Sequence, residues 1–197
     1  VVIGVNNIPR VGETILANSF EKMPGGKGAN QAVAAKRCGS EVYMISKIGK
    51  DENGMILKER LIEENINVDY IFEDDYESTG MAFITVNKEG DNSIIVVSGA
   101  NNKLTEKEID TAEEVIKKSN IIIAQLETSE EMTLKAFVKA KEFGKVTVLN
   151  PAPAKMLDKE LLKYIDIIVP NETETEVLTG VKINTIDDAK KASEVFL

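Results

Sequence analysis

Two hydrophobic rhythms divide the chain. From residue 105 onward, short continuous runs of Ile and Val alternate with stretches whose apolar residues recur every three or four positions. Taken in order, this predicts a helix over 106–118, a strand over 121–126, a helix over 130–143 and a strand over 146–149. A short helix over 159–163, a strand over 165–169 and a helix over 172–179 follow. Strands apolar on both faces, interleaved with amphipathic helices, predict an α/β fold: a mostly parallel central sheet with helices on both faces. Upstream, residues 1–4 read as a short buried strand and 29–37 as a helix stopped by Gly39 at C′. Residues 41–48 read as a strand and 49–54 as a loop. A helix over 55–64 has Ile56, Leu57, Leu61 and Ile62 on its apolar face. The final helix begins near 186 with Ala189, Ala192, Val195 and Phe196 on one face. It meets Leu197 without a cap, which predicts a continuation.

Between 80 and 97 the rhythm changes. Strands over 80–86 and 93–97 flank Asn87-Lys88-Glu89-Gly90-Asp91-Asn92, a hairpin signal. The first of them is apolar on both sides: Met81, Phe83 and the methyl of Thr85 on one, Ala82, Ile84 and Val86 on the other. Such a hairpin needs two covers, a ligand on one side and a second subunit on the other, or else burial within a single core.

Composition narrows the chemistry. With 43% apolar and 29% charged residues, the 197-residue chain suits a soluble globular protein with one good core. No apolar run is long enough to span a bilayer. A net charge of −9 argues against a broad nucleic-acid surface, so an anionic ligand must find a local cluster of donors. The absence of histidine removes His-dependent triads, His-ligated zinc and imidazole bases. The lone Cys38 cannot form an intrachain disulfide, and a reducing, cytoplasmic setting is expected.

The chemistry concentrates in Pro24-Gly25-Gly26-Lys27-Gly28-Ala29-Asn30-Gln31, directly before the apolar helix run Ala32-Val33-Ala34-Ala35. Glycines admit a ligand close to the backbone, and the helix start leaves amides free to face oxygen atoms. Lys27 and Asn30 add side-chain donors. Spacing rejects two familiar loops: Gly28, not Ser or Thr, follows Lys27, and Gln31 stands where a dinucleotide fingerprint needs its third glycine. A polar ligand corner is the favoured reading over a purely structural turn. Further along, Glu127, Asn150 and Asn171 lie just past expected strand ends, where ligands of parallel sheets bind.

Across nearly the whole length, an ordered set of segments resembles the ribokinase-like (PfkB) family of carbohydrate kinases, within it the members acting on D-ribose. They are Gly12-Glu13-Thr14, the Gly25-to-Ala34 run, Ser78-Thr79-Gly80, Gly99-Ala100-Asn101, Gln125-Leu126-Glu127, Asn150-Pro151-Ala152-Pro153-Ala154 and Pro170-Asn171-Glu172-Thr173-Glu174. The resemblance implies transfer of the γ-phosphoryl of ATP to the 5-hydroxyl of D-ribose, with Mg2+ and a monovalent cation such as K+. It implies one α/β domain over 1–197 with lid segments at about 12–23 and 78–98, and a homodimer formed through the lid. It assigns Gly26, Lys27, Gly28, Ala29, Asn30 and Glu127 to the sugar, with Ala82, Ile84 and Val96 as its apolar cover. Asn171 would lie near the nucleotide phosphates and Glu174 would meet magnesium through water. For Glu127, a helix-capping role near Ser129 stands as the alternative; for Glu174, that of a first-turn carboxylate facing the macrodipole.

Two departures matter. The Asn-x-Asp expected after the first strand is replaced by Gly4-Val5-Asn6-Asn7-Ile8-Pro9, and no Gly-Ala-Gly-Asp segment occurs. That segment would supply the anion hole and the aspartate base. No catalytic residue is therefore assigned; the base is expected beyond residue 197, and the chain by itself is expected to be inactive. A kinase for another sugar or a nucleoside, and a non-catalytic sugar-binding fragment, remain the alternative readings.

Overall fold

The chain divides into two compact units, 1–101 and 102–197, of which the computed structural model describes residues 1–196. The first contains β1 (Val2–Gly4), β2 (Ser19–Glu21), α1 (Lys27–Arg37), β3 (Tyr43–Gly49), α2 (Glu52–Glu63), β4 (Asn67–Asp74), β5 (Met81–Val86) and β6 (Asn92–Val97). A 3-10 turn over Gly99–Lys103 leads out of it. The second contains α3 (Glu106–Thr111), α4 (Glu113–Lys118), β7 (Ile121–Gln125), α5 (Glu130–Glu142), β8 (Val146–Asn150), α6 (Lys159–Leu162), β9 (Ile167–Ile168), α7 (Glu172–Thr179) and α8 (Ile186–Ser193).

The first unit holds two sheets. β3 and β4 pair in parallel, joined by α2, and their core is built from Ala32, Ile48, Leu61, Ile66 and Ile71. Helix α1 ends where Gly39 N–H donates to the carbonyl of Lys36 and Ser40 N–H to that of Ala35, the two bonds of a Schellman stop. The other sheet has the order β2-β1-β5-β6, with β1 parallel to β5 and the remaining pairs antiparallel. The expectation of a buried first strand is corrected here. β1 is only half-buried, because it lies beside the hairpin strand β5, Val5 N–H donating to Val86 O at 2.9 Å. The hairpin loop closes as its sequence demands, Asn87 N–H donating to Asp91 O and Asp91 N–H to Asn87 Oδ1.

The second unit carries the parallel sheet β7-β8-β9. Leu126, Phe137, Leu149 and Leu161 are its buried cluster, where α5 and α6 meet the strands. The helix expected over 106–118 is interrupted at buried Ala112, whose N–H is shared between the carbonyls of Glu108 and Ile109, both at 3.1 Å. Ile109, Ala112, Val115 and Ile116 all face inward across this tight turn. The strand expected over 165–169 shortens to two residues because Asp166 is diverted: its Oδ2 accepts from the amide and hydroxyl of Thr147. Among the described residues, no helix is long and apolar enough to cross a membrane.

Candidate functional site

In the first unit the glycine corner is a bare helix start. Gly26 precedes α1 with φ 100° and ψ 141°, a conformation reserved almost wholly for glycine. It has no side chain to cap the helix, and the first turn holds no acid. The first intrahelical bond runs from Asn30 N–H to Gly26 O at 2.9 Å, so the amides of Gly28 and Ala29 are among the donors a helix start leaves over. A Cβ built on Gly25 or Gly26 would meet nothing within 4 Å, so a ligand can approach the backbone here. Lys27 is half-buried and Asn30 exposed. The methyl of Ala29 packs against the core, so only its amide can serve a ligand.

The hairpin brings three predicted residues to one face. Ala82 lies directly opposite Val96, and Ile84, two residues on, opposite Ile94. Facing partners of an antiparallel pair point the same way, so Ala82, Ile84 and Val96 form one apolar surface, with Ile94 as a fourth member missed in the sequence. The alternating residues Met81, Phe83, Ile95 and Val97 line the opposite face. Pairing of β5 with β1, and of β1 with β2, extends it to Ile3 and Phe20. Phe20 is 66% exposed and Ile95 67%, so this face is uncovered in the single chain.

In the second unit the predicted polar groups line up along one edge. Strands β7, β8 and β9 are parallel neighbours, and Glu127, Asn150 and Asn171 follow or end them in that order. Asn150 Nδ2 donates to Val169 O at 2.9 Å, tying the ends of β8 and β9 together. Leu126 N–H donates to Ala152 O, which fixes the turn carrying half-buried Glu127. The N-cap of α5 is Ser129, without a side-chain bond to the helix.

Asn171 and Glu174 form a reciprocal capping box on α7. Asn171 Oδ1 accepts from Glu174 N–H at 2.7 Å, and Glu174 Oε2 accepts from Asn171 N–H at 2.9 Å. Glu174 is only 7% exposed. Among the described residues, no group of three or more acidic, Cys or His side chains is assembled that could cage a metal. A single carboxylate held in this way fits contact with a hydrated magnesium ion through water, and does not fit an all-protein metal cage.

One cluster escaped the sequence reading. The segment taken as a loop over 49–54 starts α2 at Glu52, because the Asp51 carboxylate caps it, Oδ1 accepting from Gly54 N–H at 2.8 Å. The same carboxylate accepts from the hydroxyl and amide of Thr79. Burial pushes the Asp51 pKa up, but the bonds from Thr79 and the Gly54 and Asn53 amides outweigh it and hold the group below its ordinary range.

Comparison with known proteins agrees with this layout. The model of the pfkB family of carbohydrate kinases matches residues 2–196. A ribokinase of Haemophilus influenzae is 46% identical over 195 residues, covering 99% of this chain and 64% of that protein. A deoxyribokinase of Salmonella typhi is 41% identical over 189 residues, covering 95% and 62%. The structure of Arabidopsis thaliana ribokinase complexed with ribose and ATP superposes with a TM-score of 0.87 at 29% identity, over 99% of this chain and 64% of that one. The chain thus spans just under two thirds of the length of these relatives. With the family model matched almost end to end and its motifs in order, the chain belongs to the pfkB family of carbohydrate kinases.

Proposed function

We propose that the protein containing this chain phosphorylates D-ribose at its 5-hydroxyl with ATP, and that this chain supplies the sugar-holding part. The observation that carries the reading is the bare start of α1. The Gly28 and Ala29 amides and the Lys27 and Asn30 side chains offer several fixed donors to a ligand rich in hydroxyl oxygens. Glu127, at the carboxyl edge of the β7-β8-β9 sheet, supplies a charged acceptor for a sugar hydroxyl proton. Ala82, Ile84 and Val96 give a flat apolar cover to the carbon face and exclude water. These β5–β6 residues, with the segment around β2, act as a lid on one α/β domain. Its other face, with Phe20, Phe83 and Ile95, is where a second copy docks to make a homodimer.

Asn171 and Glu174 border the nucleotide phosphates in this reading, Glu174 orienting water around magnesium. Bound ATP, Mg2+ and a monovalent cation such as K+ supply the phosphoryl group and the charge neutralisation. The Haemophilus and Arabidopsis relatives support ribose as acceptor, and a cytoplasmic setting accords with it. No residue here is assigned as the base, so the 197-residue polypeptide alone should give no turnover.

A coupled assay of ADP release by the intact protein, across ribose, deoxyribose, fructose and adenosine, tests the reading. Ribose should give the highest kcat/KM. Preference for deoxyribose would favour the specificity of the Salmonella relative, and binding of ribose without ADP release would favour a non-catalytic sugar binder.

A further inference from the structure

The β5–β6 hairpin is paired with β1 along one side of β5 and is tied again at its root. Every residue of β6 is exposed, so covering elements do not fix its orientation. Three segments instead converge just before Met81 and just after Val97. Thr79, 2% exposed, places its hydroxyl between the two sides: Oγ1 donates to Asp51 Oδ1 at 2.7 Å and accepts from Gly49 N–H at 3.0 Å. Its amide donates to Asp51 Oδ2 at 2.8 Å. On the exit side, Ala100 N–H donates to Ser78 O at 2.8 Å. Gly99, at φ +49°, approaches so closely that a Cβ on it would lie 2.2 Å from Ser78 O. The packing leaves the Asn53 amide oxygen buried without a donor, its nitrogen resting on Sδ of Met81, the first residue of β5.

Capping α2 accounts for the bonds to Asp51 from the Gly54 and Asn53 amides. The two further bonds, both from Thr79, serve the hairpin. A doubly bonded, charge-assisted contact fixes direction as well as distance. We propose that Asp51 is a positioning residue: it locks Thr79 and so sets the angle at which the hairpin presents Ala82, Ile84 and Val96 to a bound sugar. The sugar part of this statement rests on the function proposed above; the locking of the hairpin does not.

The test uses the intact protein with Thr79→Val, Thr79→Ser and Asp51→Asn. Thr79→Val removes the hydroxyl tie and leaves the Gly54–Asp51 cap in place; Thr79→Ser retains both. For Thr79→Val and Asp51→Asn, KM for ribose should rise about tenfold. KM for ATP should stay within about twofold, and Thr79→Ser should match the unsubstituted protein. Hydrogen exchange without ligand should accelerate over 81–97 in Thr79→Val while α2 keeps its protection. Unchanged exchange over 81–97 in Thr79→Val overturns the lock. So does an equal acceleration in α2, which would mark general destabilisation, or faster exchange in Thr79→Ser matching that of Thr79→Val. Faster hairpin exchange with an unchanged ribose KM overturns the presentation of the sugar face. If the unsubstituted protein does not phosphorylate ribose, the kinase reading fails alone and the exchange data still decide the lock.

Discussion

Replacing Gly26 with alanine isolates what the glycine corner contributes. Gly25 and Gly26 are adjacent, exposed, and equally open: a Cβ on either meets nothing within 4 Å. They differ in backbone. Gly26 sits at φ 100° and ψ 141°, whereas Gly25 lies outside the positive-φ region. Steric overlap therefore cannot distinguish the two substitutions; only conformational strain can. Holding a residue with a Cβ in the Gly26 conformation costs on the order of 1–3 kcal/mol. If the corner keeps its shape, the strain appears as lost stability, about 2–4 °C in Tm per kcal/mol for a chain this long. If it relaxes, the first-turn amides turn away and the same energy is lost from sugar binding, a weakening of about 5- to 150-fold. Gly25→Ala should stay within about 0.5 kcal/mol by either measure. Thermal melts and calorimetric titration with ribose on both variants make the comparison. Equal behaviour of the two variants would refute the claim that the Gly26 backbone shapes the corner.

Three further outcomes follow from the packing and the charges. Leu149→Ala, at a fully buried site beside Leu126, Phe137 and Leu161, should cost about 2–5 kcal/mol in urea denaturation; a loss below about 1 kcal/mol would mean the cluster can collapse around the gap. Asp166 is held below the ordinary carboxylate range by Lys141 first and the Thr147 amide next, and Asp74 by the Glu77 and Tyr76 amides. Because these folded pKa values, like that of Asp51, are depressed, their stabilisation is complete above about pH 4 and is lost as pH falls through the folded values. The urea midpoint should therefore drop from pH 5 toward pH 3, and less steeply in Asp166→Asn; an unchanged slope would remove Asp166 from the account. Ile95→Lys, on the uncovered face of β6, should turn a sedimenting dimer of the intact protein into a monomer with ribose KM unchanged, whereas a persisting dimer would place the contact elsewhere.

How much of this was legible depended on whether each signal was local. Apart from the shortened β9, the β7-to-α7 alternation was read to within a residue or so, because the strands are mostly apolar runs and helices have stops such as Gly144 after α5. Strand β4 was not recognised: its buried residue, Ile71, stands on the same side as Asp69 and Glu73, so no clean alternation marks the segment. Ala82 and Ile84 were readable together from the pleat, and Val96 from the family resemblance alone. Ile94 was not, since its place opposite Ile84 depends on the register. The family resemblance set Asn171 and Glu174 near phosphates and magnesium, with a first-turn helix carboxylate as the alternative for Glu174, and the capping box gives that carboxylate a helix-start role.

Asp51 shows where the limit lies. Within its own segment, Asp51-Glu52-Asn53-Gly54 is an ordinary helix start, and its carboxylate needs no partner beyond the Gly54 and Asn53 amides. Its second role depends on Thr79, 28 residues away, and on a convergence of backbones too close for any side chain at Gly99. Helix capping obeys rules a few residues long, whereas a tie between distant segments exists only once the β3–β4 pair and the β1–β5 pair have formed. Candidate ligand residues can thus be proposed from a motif. Those that aim them depend on chain topology, and a strongly hydrogen-bonded carboxylate exceeding the needs of its own helix is the physical sign by which they can be recognised.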